Sequence, residues 1–152
     1  MTNENQSFVA SDDIAEIVQR LGDSARQLEG KRVLLAGGCG FLGRYFLEAF
    51  ARLNAEVLEQ PVTVVAMDNL ITAVGVPGTF SDNPHLEFVE HDIIEPWSLA
   101  GRFDHIIHAA GIASPFYYRK FPIETLEVTT TGTKNLLDLC LRNRPRAFLF
   151  FS

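Results

Sequence analysis

Apolar positions along this chain of 152 residues fall into two patterns, short continuous runs and longer stretches of helical period. Val33-Leu34-Leu35-Ala36 is a run that predicts a strand buried on both faces. It leads into a glycine-rich turn, and Phe41 to Leu53 then carries an amphipathic helical pattern. Pro61 to Met67 predicts a second buried strand that ends at Asp68-Asn69. Leu86 to Glu90 alternates apolar and polar, as a strand with one wetter face does. Phe103 to His108 predicts a fourth strand, closed by Ala109-Ala110-Gly111. Pro122 opens a long helix whose apolar face is Ile123, Leu126, Leu136, Leu137, Cys140 and Leu141, and Pro145 ends it. Arg146 to Ser152 predicts a fifth strand, and its consecutive large apolar residues predict cover on both faces.

Between these elements the pattern is weaker. Residues 1–10 are polar and predict disorder, and residues 1–30 form a tail and helix outside the main domain, residues 31–152. Ser11 to Leu28 has helical period, Asp13 and Glu16 have capping-box spacing, and Gly22 divides the segment into two short helices. That segment predicts cover for a sheet edge or a neighbouring subunit. Residues 70–85 predict a loop, and any helix over Glu95 to Gly101 has at most two turns. Thr129-Thr130-Thr131-Gly132-Thr133 places poor helix formers in mid-helix. Gly132 costs about 1 kcal/mol there against Ala, so it predicts a close approach, to the sheet in preference to a cofactor.

The candidate chemistry begins at Gly37, Gly40 and Gly43, spaced by three between a strand and a helix. A sharp turn and a backbone that approaches a diphosphate both ask for glycine, and the helix N-terminus offers N–H groups and partial positive charge. Spacing alone leaves an ordinary glycine-rich turn equally open. Asp68, at the end of the second strand and 25 residues past Gly43, stands where a dinucleotide fold holds the adenosine ribose. It would repel a 2′-phosphate by about 4 kcal/mol per unit charge at 4 Å and an effective dielectric near 20. No Arg or Lys lies between Asp68 and Asp92, which favours NAD over NADP; an Asp that merely ends a strand is the alternative. Small residues at Ala109, Ala110 and Gly111 let the backbone pass beside a cofactor. His108 reads as hydrogen-bonded scaffold, and His85, His91 and His105 show no ligand spacing.

Composition narrows the class. With 47% hydrophobic and 21% charged residues the chain is of globular type, and no apolar run approaches the eighteen residues of a membrane span. A formal net charge of −6 argues against nucleic acid as a partner. Cys39 and Cys140 give neither a disulfide framework nor a metal site. The N-terminus lacks the regions of a signal peptide, so a cytoplasmic location is expected.

Ala36-Gly37-Gly38-Cys39-Gly40-Phe41-Leu42-Gly43 resembles the glycine signature of the extended short-chain dehydrogenase/reductases, the NAD-dependent epimerase/dehydratase group. Asp68-Asn69, His91-Asp92-x-x-Glu95-Pro96, His108-x-Ala110, Ala113-Ser114-Pro115-x-x-Tyr118, Pro122-Ile123-x-Thr125 and Gly132-Thr133-x-Asn135 follow in order. The series looks like the UDP-glucuronate decarboxylase and nucleotide-sugar 4,6-dehydratase branch. The resemblance implies a Rossmann-type, doubly wound parallel α/β sheet in order 3-2-1-4-5, of which this chain is the N-terminal half. It implies NAD as cofactor, held by Gly37, Gly40, Phe41, Leu42, Gly43, Asp68, Asn69, Ala109, Ala110 and Gly111, with Asp92 and Ile93 at the adenine. It implies a UDP-sugar as substrate, oxidised transiently at C4, with Ser114 and Tyr118 beside it and a homodimer in the full-length parent. Arg44, Arg119 and Lys120 read either as phosphate contacts or as solvated residues.

The sequence departs from that branch at Thr129, where the family has Asn, and in the loop after Asp68, which lacks its basic residues. No Tyr-x-x-x-Lys pair occurs, so no catalytic residue is assigned; the sequence stops on the fifth strand, which predicts a truncated and inactive piece. A non-catalytic NAD-binding sensor, or a structural subunit that pairs through the Pro122 helix, is the alternative.

Overall fold

In the computed structural model the described residues are 9–73, 75–81, 83–96 and 101–151. Strand β1 (Arg32–Ala36) sends Val33 and Leu35 to one face of the sheet and Leu34 and Ala36 to the other, all fully buried. Strand β2 (Thr63–Asp68) repeats the division, with Val64 and Ala66 on the first face and Val65 and Met67 on the second. A strand that is apolar at every position must be covered twice, and it is. Helix α2 (Phe41–Glu56) covers the first face with Leu47, Phe50 and Leu53.

Strands β3 (Leu86–Glu90), β4 (His105–His108) and β5 (Ala147–Phe150) complete a five-stranded sheet of order β3-β2-β1-β4-β5, parallel at every pairing. This is the expected doubly wound order. Strand β4 is shorter at its start than the apolar pattern predicts, because Phe103 precedes the ladder although it is buried. The cover that the apolar residues of strand β5 predict is not among the described residues. The strand is an edge strand with Leu149 45% exposed, and Phe150 and Phe151 remain exposed beside it. Only Phe148 packs into the second core.

Short helix α3 (Pro115–Lys120) and helix α4 (Pro122–Glu127) follow β4; α4 runs on through a π-helical turn (Val128–Gly132) into helix α5 (Thr133–Asn143). Leu136 and Leu139 of α5 cover the second face. The threonine stretch is this π turn. Thr129 and Thr130 donate their hydroxyls to the carbonyls of Thr125 and Leu126, so the side chains satisfy backbone groups where the α-helical pattern changes. Gly132 corrects an expectation. Its φ of −60° is helical, and a Cβ there would lie 2.6 Å from Cδ1 of Ile93, in the loop after β3 and not in a strand.

At the N-terminus, helix α1 (Ser11–Leu21) ends at Gly22, and a 3-10 stretch (Gly22–Leu28) continues it, so the segment divides where glycine predicted. The segment packs on the first face of the sheet, where Ala25 is fully buried in the core with Val18 and Leu28 against it. Val9 and Ile14 pack on Ala49 of α2. The capping box does not form: Asp13 accepts the Tyr45 hydroxyl at 2.8 Å, and no side chain caps α1. The described residues of the segment 70–85 are loop apart from a 3-10 turn at Gly78–Phe80. The short connection expected after Glu95 falls on residues 97–100, outside the described residues. No helix among the described residues is long and apolar enough to cross a membrane.

Candidate active-site cleft

Parallel strands deliver their carboxyl ends to one edge. Ala36 pairs with both Met67 and His108, and Asp68 pairs with Glu90. The residues that come next, Gly37, Asn69, His91 and Ala109, therefore emerge together. There a cleft opens.

The glycine turn is built tightly against its neighbours. Gly37 donates its N–H to the Met67 carbonyl at 2.8 Å, and its φ of +85° is left-handed. A Cβ on Gly37 would lie 2.5 Å from the backbone of Ala109 and Ala110, and one on Gly43 would lie 2.1 Å from the Gly37 carbonyl oxygen. Neither position has room for a side chain. Asp68 closes the turn from the other side: Oδ2 accepts the Cys39 N–H at 2.9 Å and Oδ1 the Leu70 N–H at 2.8 Å. An ionised carboxylate has about four acceptor sites, so each oxygen keeps one for a ligand. Next to it, Asn69 donates to Asp92 Oδ2 at 2.7 Å.

Of the expected cofactor residues, Gly37, Gly40, Asp68, Asn69, Asp92, Ile93, Ala109, Ala110 and Gly111 line this one cleft. A Cβ on Gly111 would meet nothing within 4 Å. Phe41, Leu42 and Gly43 do not line it. As the first residues of α2, Phe41 and Leu42 turn their side chains into a separate apolar groove with Ile17, Tyr45, Phe46, Ala49 and Phe151, and Gly43 is buried under the turn. Ser114 and Tyr118 are exposed and lie outside the lining, Ser114 as the N-cap of helix α3 and Tyr118 within it. Arg119 and Lys120 close that helix and stay out of the cleft. Arg44 donates to the Cys39 carbonyl at 3.0 Å and to the Gly75 carbonyl at 2.8 Å, so it ties the glycine turn to the loop after β2.

Ile71, Thr72, His91, Ile94, Ile112, Glu124 and Val128 also line the cleft and are not among the cofactor residues expected from the sequence. His91 follows β3 as Asp68 ends β2, so the strand-end rule alone would have found it. Glu124 and Val128 share a helix face four residues apart, but which face looks into the cleft is a tertiary fact.

The electrostatics are one-sided. Asp68, Asp92 and Glu124 bring carboxylates to the lining, and no Lys or Arg among the described residues joins them. Burial, followed by the nearby Asp68 charge, pushes the Cys39 thiol up to about 12, so it is not a nucleophile at neutral pH. His108 is fully buried, with Nε2 3.0 Å from the Thr133 hydroxyl and Nδ1 without a partner; burial lowers its pKa below the ordinary imidazole value. No cluster of metal-ligating side chains occurs among the described residues.

A parallel sheet of this order, with a glycine turn after β1 and a carboxylate at the end of β2, defines a dinucleotide-binding α/β domain. More narrowly, residues 33–152 match the NAD dependent epimerase/dehydratase family, and the chain belongs to it. It is 32% identical over 142 residues to UDP-glucuronic acid decarboxylase 2 of Arabidopsis thaliana, a match that covers 88% of this chain and 30% of that protein. Among solved structures it resembles the Bordetella bronchiseptica enzyme WbmF in complex with NAD+, at TM-score 0.63 and 25% identity, over 82% of this chain and 36% of that one. The dTDP-glucose 4,6-dehydratase DesIV of Streptomyces venezuelae, with NAD and TYD bound, gives TM-score 0.61 and 26% identity over 77% of this chain and 38% of that one. The chain thus spans less than two fifths of the length of these relatives.

Proposed function

We propose that this chain is the NAD-binding part of an enzyme that modifies a nucleotide sugar, most simply a UDP-sugar, in the manner of a decarboxylase, 4,6-dehydratase or 4-epimerase. The observation that carries the proposal is Asp68, tied by the Cys39 N–H to the glycine turn while it lines the same cleft as Gly37 and Gly40. The residues fit the cofactor. Gly37 and Gly43 leave no room for side chains, so the turn keeps its backbone clear for a diphosphate. Asp68 has acceptor sites left for the adenosine ribose, and the lining offers no cation for a 2′-phosphate. Asp92 and Ile93 would meet the adenine, and Ala109, Ala110 and Gly111 the nicotinamide ribose.

When bound, NAD supplies a reversible hydride acceptor for C4 of the sugar. The chain's own residues bind and orient it, and Ser114 and Tyr118 belong to the substrate side. The 152 residues hold no Tyr-x-x-x-Lys pair to move the hydroxyl proton, so the chain alone turns over no substrate. In the full-length parent we place a homodimer formed through the α4–α5 helix, where Ile123, Leu126, Leu137 and Leu141 are exposed. Residues 1–30 are an added tail and helix on the domain 31–152, and the cytoplasm is its place.

Titration calorimetry tests the cofactor proposal. NAD should bind at least about tenfold more tightly than NADP, a difference of about 1.4 kcal/mol and well inside the repulsion that Asp68 exerts. Equal affinities, or binding of neither, would overturn it. The sensor alternative has no specific observation in its favour.

A further inference from the structure

Glu124, Val128, Gly132 and Asn135 follow one another at intervals of four, four and three, along one face of the helix that starts at Pro122. The first two line the cleft. The last two meet the loop after β3 from behind. A Cβ on Gly132 would lie 2.6 Å from Cδ1 and 2.7 Å from Cγ1 of Ile93, so the helix accepts Ile93 only because position 132 has no side chain. Asn135 Nδ2 donates to the Ile93 carbonyl at 2.8 Å and to the Ile94 carbonyl at 3.2 Å. The loop's own bonds, Ile94 N–H to Asp92 Oδ1 at 3.1 Å and Glu95 N–H to the Asp92 carbonyl at 3.0 Å, leave those two carbonyls to α5.

We propose that Asn135 is a positioning residue for the cofactor: through the Ile93 and Ile94 carbonyls it sets the wall that Asp92 and Ile93 present to an adenine. Ile93 is 3% exposed, and both residues line the cleft. With its two acceptors held from α5, and Ile93 seated on Gly132, the loop meets a ligand already ordered. Without them the ordering falls on binding. The proposal rests on the cofactor assignment above and adds a residue that touches no ligand.

The test uses AMP as probe, with calorimetry for affinity and amide exchange over residues 93–95 in ligand-free protein. Asn135→Asp keeps the shape but replaces both donor hydrogens with an acceptor facing two carbonyls. It should weaken AMP about tenfold and speed exchange at 93–95. Gly132→Ala is the second variant. Ala is the better helix former, so it folds, yet its methyl displaces Ile93 and AMP should weaken again. Leu53→Ala, a core change in the cluster on the opposite face of the sheet from Ile93, is the control for lost stability. The proposal is overturned if Asn135→Asp and Gly132→Ala leave AMP affinity and exchange unchanged, or if Leu53→Ala weakens AMP as much. Wild-type chain that binds neither AMP nor NAD overturns the cofactor assignment and this proposal together.

Discussion

At Asp68 two backbone N–H groups and a free pair of acceptor sites meet on one carboxylate. Asp68→Asn keeps its size but removes the charge. NAD should weaken by about tenfold, since a charge-assisted hydrogen bond becomes a neutral one, while NADP loses its repulsion. Calorimetry with both nucleotides should therefore show the preference shrink or vanish. At Gly43, a methyl 2.1 Å from the Gly37 oxygen forces the helix off the turn. Gly43→Ala should cost about 1–3 kcal/mol of stability and abolish NAD binding, read by urea unfolding and by titration. His108 makes a pH prediction. Burial lowers its folded-state pKa below the ordinary 6.5, so the unfolded chain takes up the proton more readily. Stability is then fully present above about pH 6.5 and is lost as the pH falls below it. Urea midpoints measured over that range should fall in the wild type and fall less in His108→Gln.

Among the elements, the strands were the most legible, because burial on two faces writes itself as an unbroken apolar run. Val33 to Ala36 and Val64 to Met67 are such runs, and their alternating residues divide between α2 and α5. The glycine turn was legible for a different reason, since contacts at Gly37 and Gly43 permit no other residue. What stayed hidden depends on neighbours distant in sequence. The partner of Gly132 is Ile93, 39 positions earlier, and no local pattern points to it. Asp13 looked like a cap but serves Tyr45 on another helix. Strand β5 carries the apolar run of a doubly covered strand, and the described residues hold no helix that follows it. Helix α1 yields a prediction at this scale. It rests on α2 through Val9, Ile14 and Ala49, with Ile17, Val18 and Tyr45 packed around them. Ala49→Glu places a charge in that contact and should free α1, so limited proteolysis should clip within residues 9–21 while the sheet core stays resistant.

For the molecule as a whole, the unevenly covered surface matters most. Phe41, Leu42, Leu149, Phe150 and Phe151 are exposed around one end of the sheet, and Ile123, Leu126, Leu137 and Leu141 along the α4–α5 helix. Apolar surface on this scale marks places where other protein packs. The isolated chain should therefore associate as its concentration rises, and Leu137→Glu with Leu141→Glu should shift sedimentation toward the monomer. The same chain, supplied with NAD and UDP-glucuronate, should release no product. Conversion seen by chromatography of the nucleotide sugars would mean that proton transfer is served by residues within these 152.

The contrast between Gly37 and Gly111 has a practical consequence. Both line the cleft, yet a methyl on the first strikes backbone and one on the second meets open space. Sequence drift, or a designer's library, is barred from position 37 but can lengthen position 111 without disturbing the scaffold. A side chain at 111 should therefore leave folding intact and tell only on what the cleft holds, whereas one at 37 undoes the scaffold itself.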